Sequence, residues 1–236
     1  MTSLSVVIPA YNEEKRLPAT LERVLVWLGS QALEFHEVNV VNDGSTDGTA
    51  GLVEQIRNGH PCLRLLNNPG NRGKGYSVRH GMLEARGEWV LFSDADLSTP
   101  IEDVTKLYEA AVQAHAEIAI GSRAVDRSLV SKHQAPLREL SGRFFNLAMR
   151  AVTGLPFRDT QCGFKLYSAH AAREIFSRQQ LDGFSFDVED LYIAHRLGIV
   201  AVEVPVHWAN VEGTKVSAFT GLKSFADLIR IKRQQR

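Results

Sequence analysis

Residues 4–14 read Leu-Ser-Val-Val-Ile-Pro-Ala-Tyr-Asn-Glu-Glu, a short apolar run followed by a polar segment. An apolar run that stops at a proline, here Pro9, is typical of a buried β-strand. Residues 13–28 then carry leucines and valine at helical spacing, which predicts a helix directly after the strand. We interpret this stretch as the first βα unit of an α/β protein.

The same alternation continues along the first half of the chain. Further strands are predicted at residues 38–41, 63–66, 89–92 and 118–120, with a helix between each pair and the last of these helices at about 101–114. Repeated βα units predict a mostly parallel central sheet with helices on both faces. The second half is less regular, with a predicted loop at 125–135, helices at 137–152, 169–176, 188–197 and 221–236, and a strand at 200–206.

Composition limits the class of protein. The chain has 236 residues, 44% of them hydrophobic and 23% charged, which is typical of a globular protein and excludes disorder and collagen. Lys+Arg and Asp+Glu both number 27, and this zero balance argues against a nucleic-acid partner. Two cysteines, no signal-peptide pattern and no long apolar run predict a cytoplasmic protein with at most peripheral membrane contact.

Polar residues follow three of the predicted strands. They are Pro9 to Glu13 after the first strand, Asp43 after the second, and Asp94 with Asp96 after the fourth. In an open α/β sheet, ligands bind outside the carboxyl ends of the strands, so these residues predict one ligand site.

Two nucleotide-binding patterns are absent from this edge. A dinucleotide enzyme needs Gly-x-Gly-x-x-Gly after its first strand, where this chain has Pro-Ala-Tyr-Asn-Glu-Glu. The Gly73-Lys74-Gly75 segment comes later and does not complete a P-loop pattern. A dehydrogenase or a P-loop nucleotidase is therefore disfavoured.

Asp94 and Asp96 are the sharpest chemical feature of the sequence. In an extended segment, residues two apart point to the same side, so the two carboxylates can face one cation. Oxygen ligands of this kind suit Mg²⁺ or Mn²⁺, which share their remaining positions with substrate phosphates. The alternative is a solvated turn with no ligand.

Four motifs in the first half together resemble the family 2 glycosyltransferases. That resemblance implies a GT-A type nucleotide-sugar-binding fold, inversion at the anomeric carbon, and binding of the nucleotide base and ribose by Pro9, Tyr11, Glu13 and Asp43. It also implies that Asp94, Ala95 and Asp96 serve the metal and the diphosphate. The motifs are Val-Val-Ile-Pro-Ala-Tyr-Asn-Glu-Glu (6–14), Val-Asn-Asp-Gly-Ser-Thr-Asp-Gly-Thr (41–49), Asn-Arg-Gly-Lys-Gly (71–75) and Asp-Ala-Asp-Leu-Ser (94–98).

Motifs in the second half are similar to the polyprenyl-phosphate (dolichyl-phosphate) glycosyltransferases. The Gln-Cys-Gly-Phe-Lys run and the Ser98 position resemble the glucosyl branch, since the mannosyl branch usually has Gln at that position. The resemblance implies a wall of the sugar pocket around Gln161. The motifs are Gly-Ser-Arg (121–123), Thr-Gln-Cys-Gly-Phe-Lys-Leu (160–166), Phe-Asp-Val-Glu (186–189) and Glu-Gly-Thr-Lys (212–215).

We therefore expect an enzyme that transfers glucose from UDP-glucose to polyprenyl or dolichyl phosphate. The alternatives are a GDP-mannose-dependent enzyme, a transferase acting on a saccharide or protein hydroxyl, and a catalytically silent sugar-nucleotide-binding partner. Lys74 is a second candidate for the diphosphate, although a solvated loop lysine has the same appearance. Both Asp94 and Asp96 are expected to be catalytic.

The acceptor decides whether a base is needed. A hydroxyl must lose a proton, whereas a lipid phosphate is already an anion and needs cations. Asp187, Glu189 and Asp190 are the candidate acids, and we expect Asp187 to be catalytic. The alternative is that these acids only stabilise the N-terminus of a helix through its dipole. The candidate acceptor-phosphate cations are Arg123, Arg138, Arg143, Lys165 and Lys215.

We expect one GT-A domain, residues 1–236, in which the charges are unevenly distributed although they sum to zero. Residues 1–122 form the expected nucleotide-sugar and metal half, 123–220 the acceptor half and 221–236 a basic C-terminal helix. Residues 123–158 hold seven basic and two acidic side chains, and residues 221–236 hold five and one. This positive charge, together with the amphipathic helices 137–152 and 221–236, suggests peripheral contact with the cytoplasmic face of a membrane, while packing on the sheet is the alternative.

Overall fold

The computed structural model describes residues 1–132, 149–211, 227 and 230–232. Its first half alternates strands and helices as predicted. The elements are β1 (Ser3–Ala10), α1 (Leu17–Ser30), β2 (Phe35–Asn42), α2 (Thr49–Arg57), β3 (Leu63–Asn67), α3 (Lys74–Glu84), β4 (Trp89–Ser93), a 3₁₀ turn (Ile101–Asp103), α4 (Val104–Gln113) and β5 (Ile118–Ser122).

The second half adds short strands and two helices. The elements are a 3₁₀ turn (Arg127–Leu129), β6 (Val130–Lys132), β7 (Phe164–Ser168), α5 (Ala169–Phe176), α6 (Phe186–Leu197), β8 (Ala201–Pro205) and β9 (Trp208–Ala209). Residues 149–153 are also helical, in agreement with the end of the predicted helix 137–152. Most of the predicted helix 221–236 lies outside the described residues.

Seven of the described strands form one sheet in the order β3-β2-β1-β4-β7-β5-β8. β7 is antiparallel to both of its neighbours, and the other pairs are parallel. The mostly parallel central sheet predicted from the sequence is therefore confirmed. β6 and β9 form a separate two-stranded parallel sheet.

The core lies on both faces of the sheet because side chains alternate along each strand. On β1, Val6 and Ile8 belong to the cluster that packs against α1 and α4. The intervening Val7 belongs to the opposite cluster, which packs against α3, α5 and α6. Helices therefore cover both faces, as predicted.

Prolines shift two boundaries at the start of the chain. β1 runs past Pro9 to Ala10, because β4 pairs only with Leu4 to Val7 and Pro9 has a strand neighbour on one side only. α1 begins at Leu17 rather than at residue 13, and Pro18 occupies its first turn, where a missing N–H costs no helical hydrogen bond.

The second half departs further from the predictions. The expected loop at 125–135 contains the 3₁₀ turn and β6, whose partner is the distant β9. The sequence does not predict β7, because Lys165 interrupts its apolar pattern. α6 begins at Phe186, two residues earlier than predicted.

Candidate functional site

The carboxyl ends of β1, β2 and β4 meet at one edge of the sheet because the three strands are parallel neighbours. β1 and β2 end in register, with Ala10 opposite Asn42. The Asp43 N–H donates to the Ala10 carbonyl at 2.9 Å, so the two following loops begin side by side.

Hydrogen bonds join the loop after β1 to the loop after β2. Asn12, in the left-handed region with φ 55°, accepts from the Thr46 N–H at 2.8 Å through its side chain. The Asn12 N–H donates to Ser45 Oγ at 3.0 Å, and the Glu13 N–H donates to Thr49 Oγ1 at 2.8 Å. The two loops therefore form one rigid floor.

The predicted base and ribose ligands on the first loop differ in exposure. Pro9 is half-buried, and Tyr11 is 38% exposed. Glu13 is buried, and its two carboxylate oxygens accept from the Arg16 guanidinium at 2.7 and 2.8 Å. Tyr11 thus presents an aromatic surface on which a flat base can stack.

Asp43 holds the loop that leads into α3. Its carboxylate accepts from the Asn68 side-chain amide and from the N–H groups of Arg72 and Gly73, each at 2.8 Å. Gly73 has φ 104°, a backbone conformation that glycine adopts without strain. Asp43 thereby fixes the segment that presents Lys74 to the site.

Asp94 and Asp96 lie in a tight turn directly after β4. The Leu97 N–H donates to the Asp94 carbonyl at 3.2 Å, and the Ser98 N–H donates to Asp96 Oδ1 at 3.0 Å. Both carboxylates are half-buried, and the intervening Ala95 is buried with its carbonyl accepting from Thr20 Oγ1. The turn is therefore held from both sides.

Lys74 faces Asp94 across the site. Its Nζ lies 2.7 Å from Asp94 Oδ1, and the two side chains are 22% and 35% exposed. Burial acts to lower the pKa of Lys74, but the charges of Asp94 and Asp187 outweigh it and raise that pKa above its ordinary value. Lys74 is therefore a firmly charged cation beside the predicted metal ligands.

The residues present fit a divalent cation that shares its coordination with a substrate. Among the described residues, no set of three His, Cys, Asp or Glu side chains is arranged to hold a metal ion. Asp94 and Asp96 supply two hard carboxylates at the open edge of the sheet, and Mg²⁺ is often bound by one or two carboxylates plus substrate phosphates. The donor set thus suits Mg²⁺ or Mn²⁺ bound together with a diphosphate.

Arg123, the first predicted acceptor-phosphate ligand, is held in place by Asp159. Its Nε and Nη2 donate to the two Asp159 carboxylate oxygens at 2.7 and 2.8 Å, and its guanidinium lies 5.5 Å from the Trp208 ring centroid. Burial acts to lower the pKa of Arg123, but Asp159 and, more weakly, Asp94 outweigh it and raise that pKa above its ordinary value. Arg123 is thus a fixed cation near the Asp94 side of the site.

Lys165, the second predicted acceptor-phosphate ligand, is 0% exposed. Its Nζ lies 2.5 Å from Asp187 Oδ1 and 3.3 Å from Asp190 Oδ2. Burial therefore leaves Lys165 no surface with which to meet an acceptor phosphate. Asp187, predicted to be catalytic, is 4% exposed and paired with this lysine.

Glu189, another candidate base in the sequence, forms hydrogen bonds with backbone N–H groups. Its carboxylate accepts from the N–H groups of Gln180 and Leu181 at distances of 2.8 to 3.1 Å. It is fully buried, so its charge holds the loop before α6 rather than meeting a substrate.

Residues 161–163 pass beneath the Asp94 turn. The Asp94 N–H donates to the Gly163 carbonyl at 3.0 Å, and a Cβ on Gly163 would overlap the Asp94 carboxylate. Gln161 is half-buried, whereas Cys162 is 1% exposed, and burial raises the pKa of its thiol to about 12. Cys162 is thus a buried, neutral thiol and not a nucleophile.

The structure brings together most of the predicted residues. Arg138, Arg143 and Lys215 lie outside the described residues. Sequence reasoning missed Asp159 and Tyr167, which hold Arg123 and Asp190, because each is joined to its partner only by the fold.

Solved structures share the fold of this chain. A crystal structure of glucosyl-3-phosphoglycerate synthase from Mycobacterium tuberculosis in complex with Mn²⁺, UDP-glucose and phosphoglyceric acid matches with a TM-score of 0.69 at 19% identity. The match covers 98% of this chain and 79% of that one. The fold is therefore of the GT-A type.

Sequence relatives are similar over nearly the whole chain. The dolichyl-phosphate beta-glucosyltransferase of Dictyostelium discoideum is 36% identical, covering 97% of this chain and 73% of its own. The Homo sapiens protein of the same name is 37% identical, with coverage of 97% and 74%. The family model "Glycosyl transferase family 2" matches residues 5–176. On these matches, the chain belongs to glycosyl transferase family 2.

Proposed function

We propose that this chain transfers glucose from UDP-glucose to a polyprenyl or dolichyl phosphate. The observation that carries the proposal is the likeness, at 36–37% identity over 97% of the chain, to proteins named dolichyl-phosphate beta-glucosyltransferase. The likeness includes the second half of the chain, where an acceptor would bind.

The donor side follows from the open edge of the sheet. Tyr11 is proposed to stack on the base, and Pro9, Glu13 and Asp43 to shape the pocket for base and ribose. Asp94 and Asp96 would hold Mg²⁺ or Mn²⁺, which when bound neutralises charge on the departing UDP. Lys74 is proposed to exchange part of its contact with Asp94 for the diphosphate, so that it stabilises the same charge.

The acceptor side needs cations rather than a base, because a lipid phosphate is already ionised. Arg123 supports this assignment, since Asp159 binds only two of its five donors and holds the guanidinium in one orientation. Arg138, Arg143 and Lys215 are proposed as further phosphate ligands, and Gln161 as part of the sugar pocket. Asp187 is proposed to keep Lys74 in place; it would act as a base only with a hydroxyl acceptor.

We also propose that the chain meets its acceptor as a peripheral protein at the cytoplasmic face of a membrane. Within the described residues, no helix is long and apolar enough to cross a bilayer. The basic segments 123–158 and 221–236 would supply the attraction to anionic lipid. Flotation with anionic and neutral vesicles tests this, and absence of binding to anionic vesicles would contradict it.

A donor and acceptor panel tests the proposed reaction. The chain is incubated with UDP-glucose, UDP-galactose, UDP-N-acetylglucosamine or GDP-mannose, with Mn²⁺ or Mg²⁺, and with polyprenyl phosphate or the matched polyprenol. We expect a glucosyl lipid only from UDP-glucose with the phosphate. Product from GDP-mannose, or equal product with polyprenol, would overturn the assignment of donor or acceptor.

A further inference from the structure

Four buried side chains form one connected set beside the site, here called the buried ion group: Lys165 and Tyr167 on β7, and Asp187 and Asp190 on α6. Lys165 Nζ contacts both carboxylates and also donates to the Asp187 carbonyl at 3.3 Å. The Tyr167 hydroxyl donates to Asp190 Oδ2 at 2.5 Å.

Two periodicities bring this group together. Lys165 and Tyr167 are two apart on a strand and share a face. Asp187 and Asp190 are three apart on a helix and also share a face. When α6 covers β7, the two pairs therefore meet, and the lysine comes to lie between the acids.

Asp187 links the buried ion group to the donor side. The Phe186 ring centroid lies 5.7 Å from Lys165 Nζ and 6.0 Å from Lys74 Nζ, so the two ammonium groups flank one ring. The Asp187 charge acts on Lys74, which itself pairs with Asp94. Burial raises the pKa of Asp187, while Lys165 and Lys74 act to lower it.

We propose that Lys165 is a positioning residue: it holds the Asp187 side chain in one orientation beside the Lys74–Asp94 pair, while Asp190, which accepts from Tyr167, holds Lys165. This inference rests on the proposed function only through the roles given there to Asp187 and Lys74. It replaces the predicted contact of Lys165 with an acceptor phosphate.

A double-mutant cycle tests the inference. Lys165→Met and Asp187→Asn are made singly and together, and kcat and the donor KM are measured. If Lys165 acts through Asp187, each single variant loses about 10- to 100-fold in kcat, as supporting residues do. The double variant then matches Asp187→Asn within about twofold, because no further interaction is lost. A further tenfold loss in the double variant would overturn the inference, and so would Lys165→Met with near wild-type kcat.

Thermal melting gives a readout that does not depend on turnover. Lys165→Met leaves two buried acids without their cation, so its Tm falls, and adding Asp187→Asn raises the Tm again. If Lys165→Met does not fold, the comparison of the double variant with Asp187→Asn still decides the inference. A Tm that falls further in the double variant would contradict it.

An ion pair with a buried carboxylate, away from the site, supplies a control. Glu37 is 0% exposed, and its carboxylate accepts from the guanidinium of Arg86, a 59% exposed side chain, at 2.6 and 2.9 Å and from Arg64 at 3.2 Å. Arg86→Met should lower the Tm while kcat stays within about twofold of wild type. If Arg86→Met lost as much kcat as Lys165→Met, the loss in Lys165→Met would follow from lower stability alone, and the inference would be overturned.

The proposed function and this inference fail in different experiments. If the wild-type chain forms no glucosyl lipid, the proposed function is wrong. The cycle is then measured as UDP release from UDP-glucose with the acceptor that supports turnover, or with water. Coupling between Lys165 and Asp187 in that assay would support the inference by itself.

Discussion

Two lysine–aspartate pairs lie side by side in this molecule and differ in their access to water. The side chains of Lys74 and Asp94 are 22% and 35% exposed, whereas those of Lys165 and Asp187 are 0% and 6% exposed. A half-buried pair can exchange one partner for a ligand at a lower cost than a fully buried pair, because water still reaches and screens the separated charges. A buried pair loses far more when one member is removed, so it suits a fixed support. These exposures suit the first pair to ligand exchange and the second pair to support.

The largest expected loss of kcat comes from a change at Asp96, which follows Asp94 of the Lys74–Asp94 pair in the turn after β4. Asp96→Asn keeps the oxygen that accepts from the Ser98 N–H but removes the charge that would bind a divalent cation. We expect kcat to fall by about 10²- to 10³-fold, the size of a lost electrostatic contact to the transition state. Steady-state kinetics and Mn²⁺ titration measure it, with the exposed Glu54→Gln on α2 as control. Wild-type turnover in Asp96→Asn would remove the metal assignment.

Gly163→Ala should have the next largest effect. The added Cβ would overlap the Asp94 carboxylate and displace it from its present position, where it contacts Lys74. Misplacement of a site group by about 1 Å costs on the order of 10²-fold in rate, so we expect that loss in kcat/KM with a nearly unchanged Tm.

Gly51→Ala on α2 is the matched control for Gly163→Ala, since no atom lies within 4 Å of its added Cβ. It should leave kcat/KM unchanged. If Gly163→Ala is as active as this control, the Asp94 position does not matter for the reaction.

The buried ion group should make the free energy of unfolding depend on pH. Burial raises the pKa of Asp190 to about 7 from an ordinary 3.8. Between these values the folded chain binds a proton that the unfolded chain has lost. The contribution of Asp190 to stability is therefore complete below pH 3.8 and is lost as the pH rises through 7, by at most about 1.4 kcal/mol per pH unit.

Asp190→Asn tests this pH dependence because an amide does not titrate. Urea unfolding at pH 5, 6, 7 and 8 measures the free energy of unfolding for both chains. The wild-type value should fall more steeply with pH than that of the variant. Parallel pH profiles would show that Asp190 ionises as an ordinary aspartate.

The smallest expected effect is a difference in the labelling rates of the two cysteine thiols, one in each half of the chain. Cys62, before β3, is half-buried, whereas Cys162 is 1% exposed with a pKa of about 12. A thiol reagent at pH 8 should label Cys62 first and Cys162 only on unfolding, and kcat should not change with the first label. Loss of the fast phase in Cys62→Ser confirms the assignment, and rapid labelling in that variant would contradict it.

The first half was predictable because its chemistry is local. Asp43, Asp94 and Asp96 each follow a parallel strand, and neighbouring parallel strands end at one edge, so sequence order alone places these acids together. Apolar runs and helical spacing likewise predicted both faces of the core.

The second half was less predictable because its contacts depend on non-local pairing. Lys165 has the composition of a phosphate ligand, and only the insertion of β7 between β4 and β5 shows that it is buried against α6. In the same way, the Arg123–Asp159 pair joins segments that no periodicity connects. Charge type could be determined from sequence, but exposure could not.

The antiparallel strand β7 also has a consequence for synthesis on the ribosome. β4 and β5 flank β7 in the sheet, yet β7 follows both in the chain. Until residue 168 has emerged, the nascent chain has two strands whose facing edges lack their final neighbour. Such edges pair readily with other chains. The first half of the chain is therefore expected to need β7 to complete its sheet. Release of a truncated chain ending near residue 122 should lead to aggregation rather than to a stable half-protein.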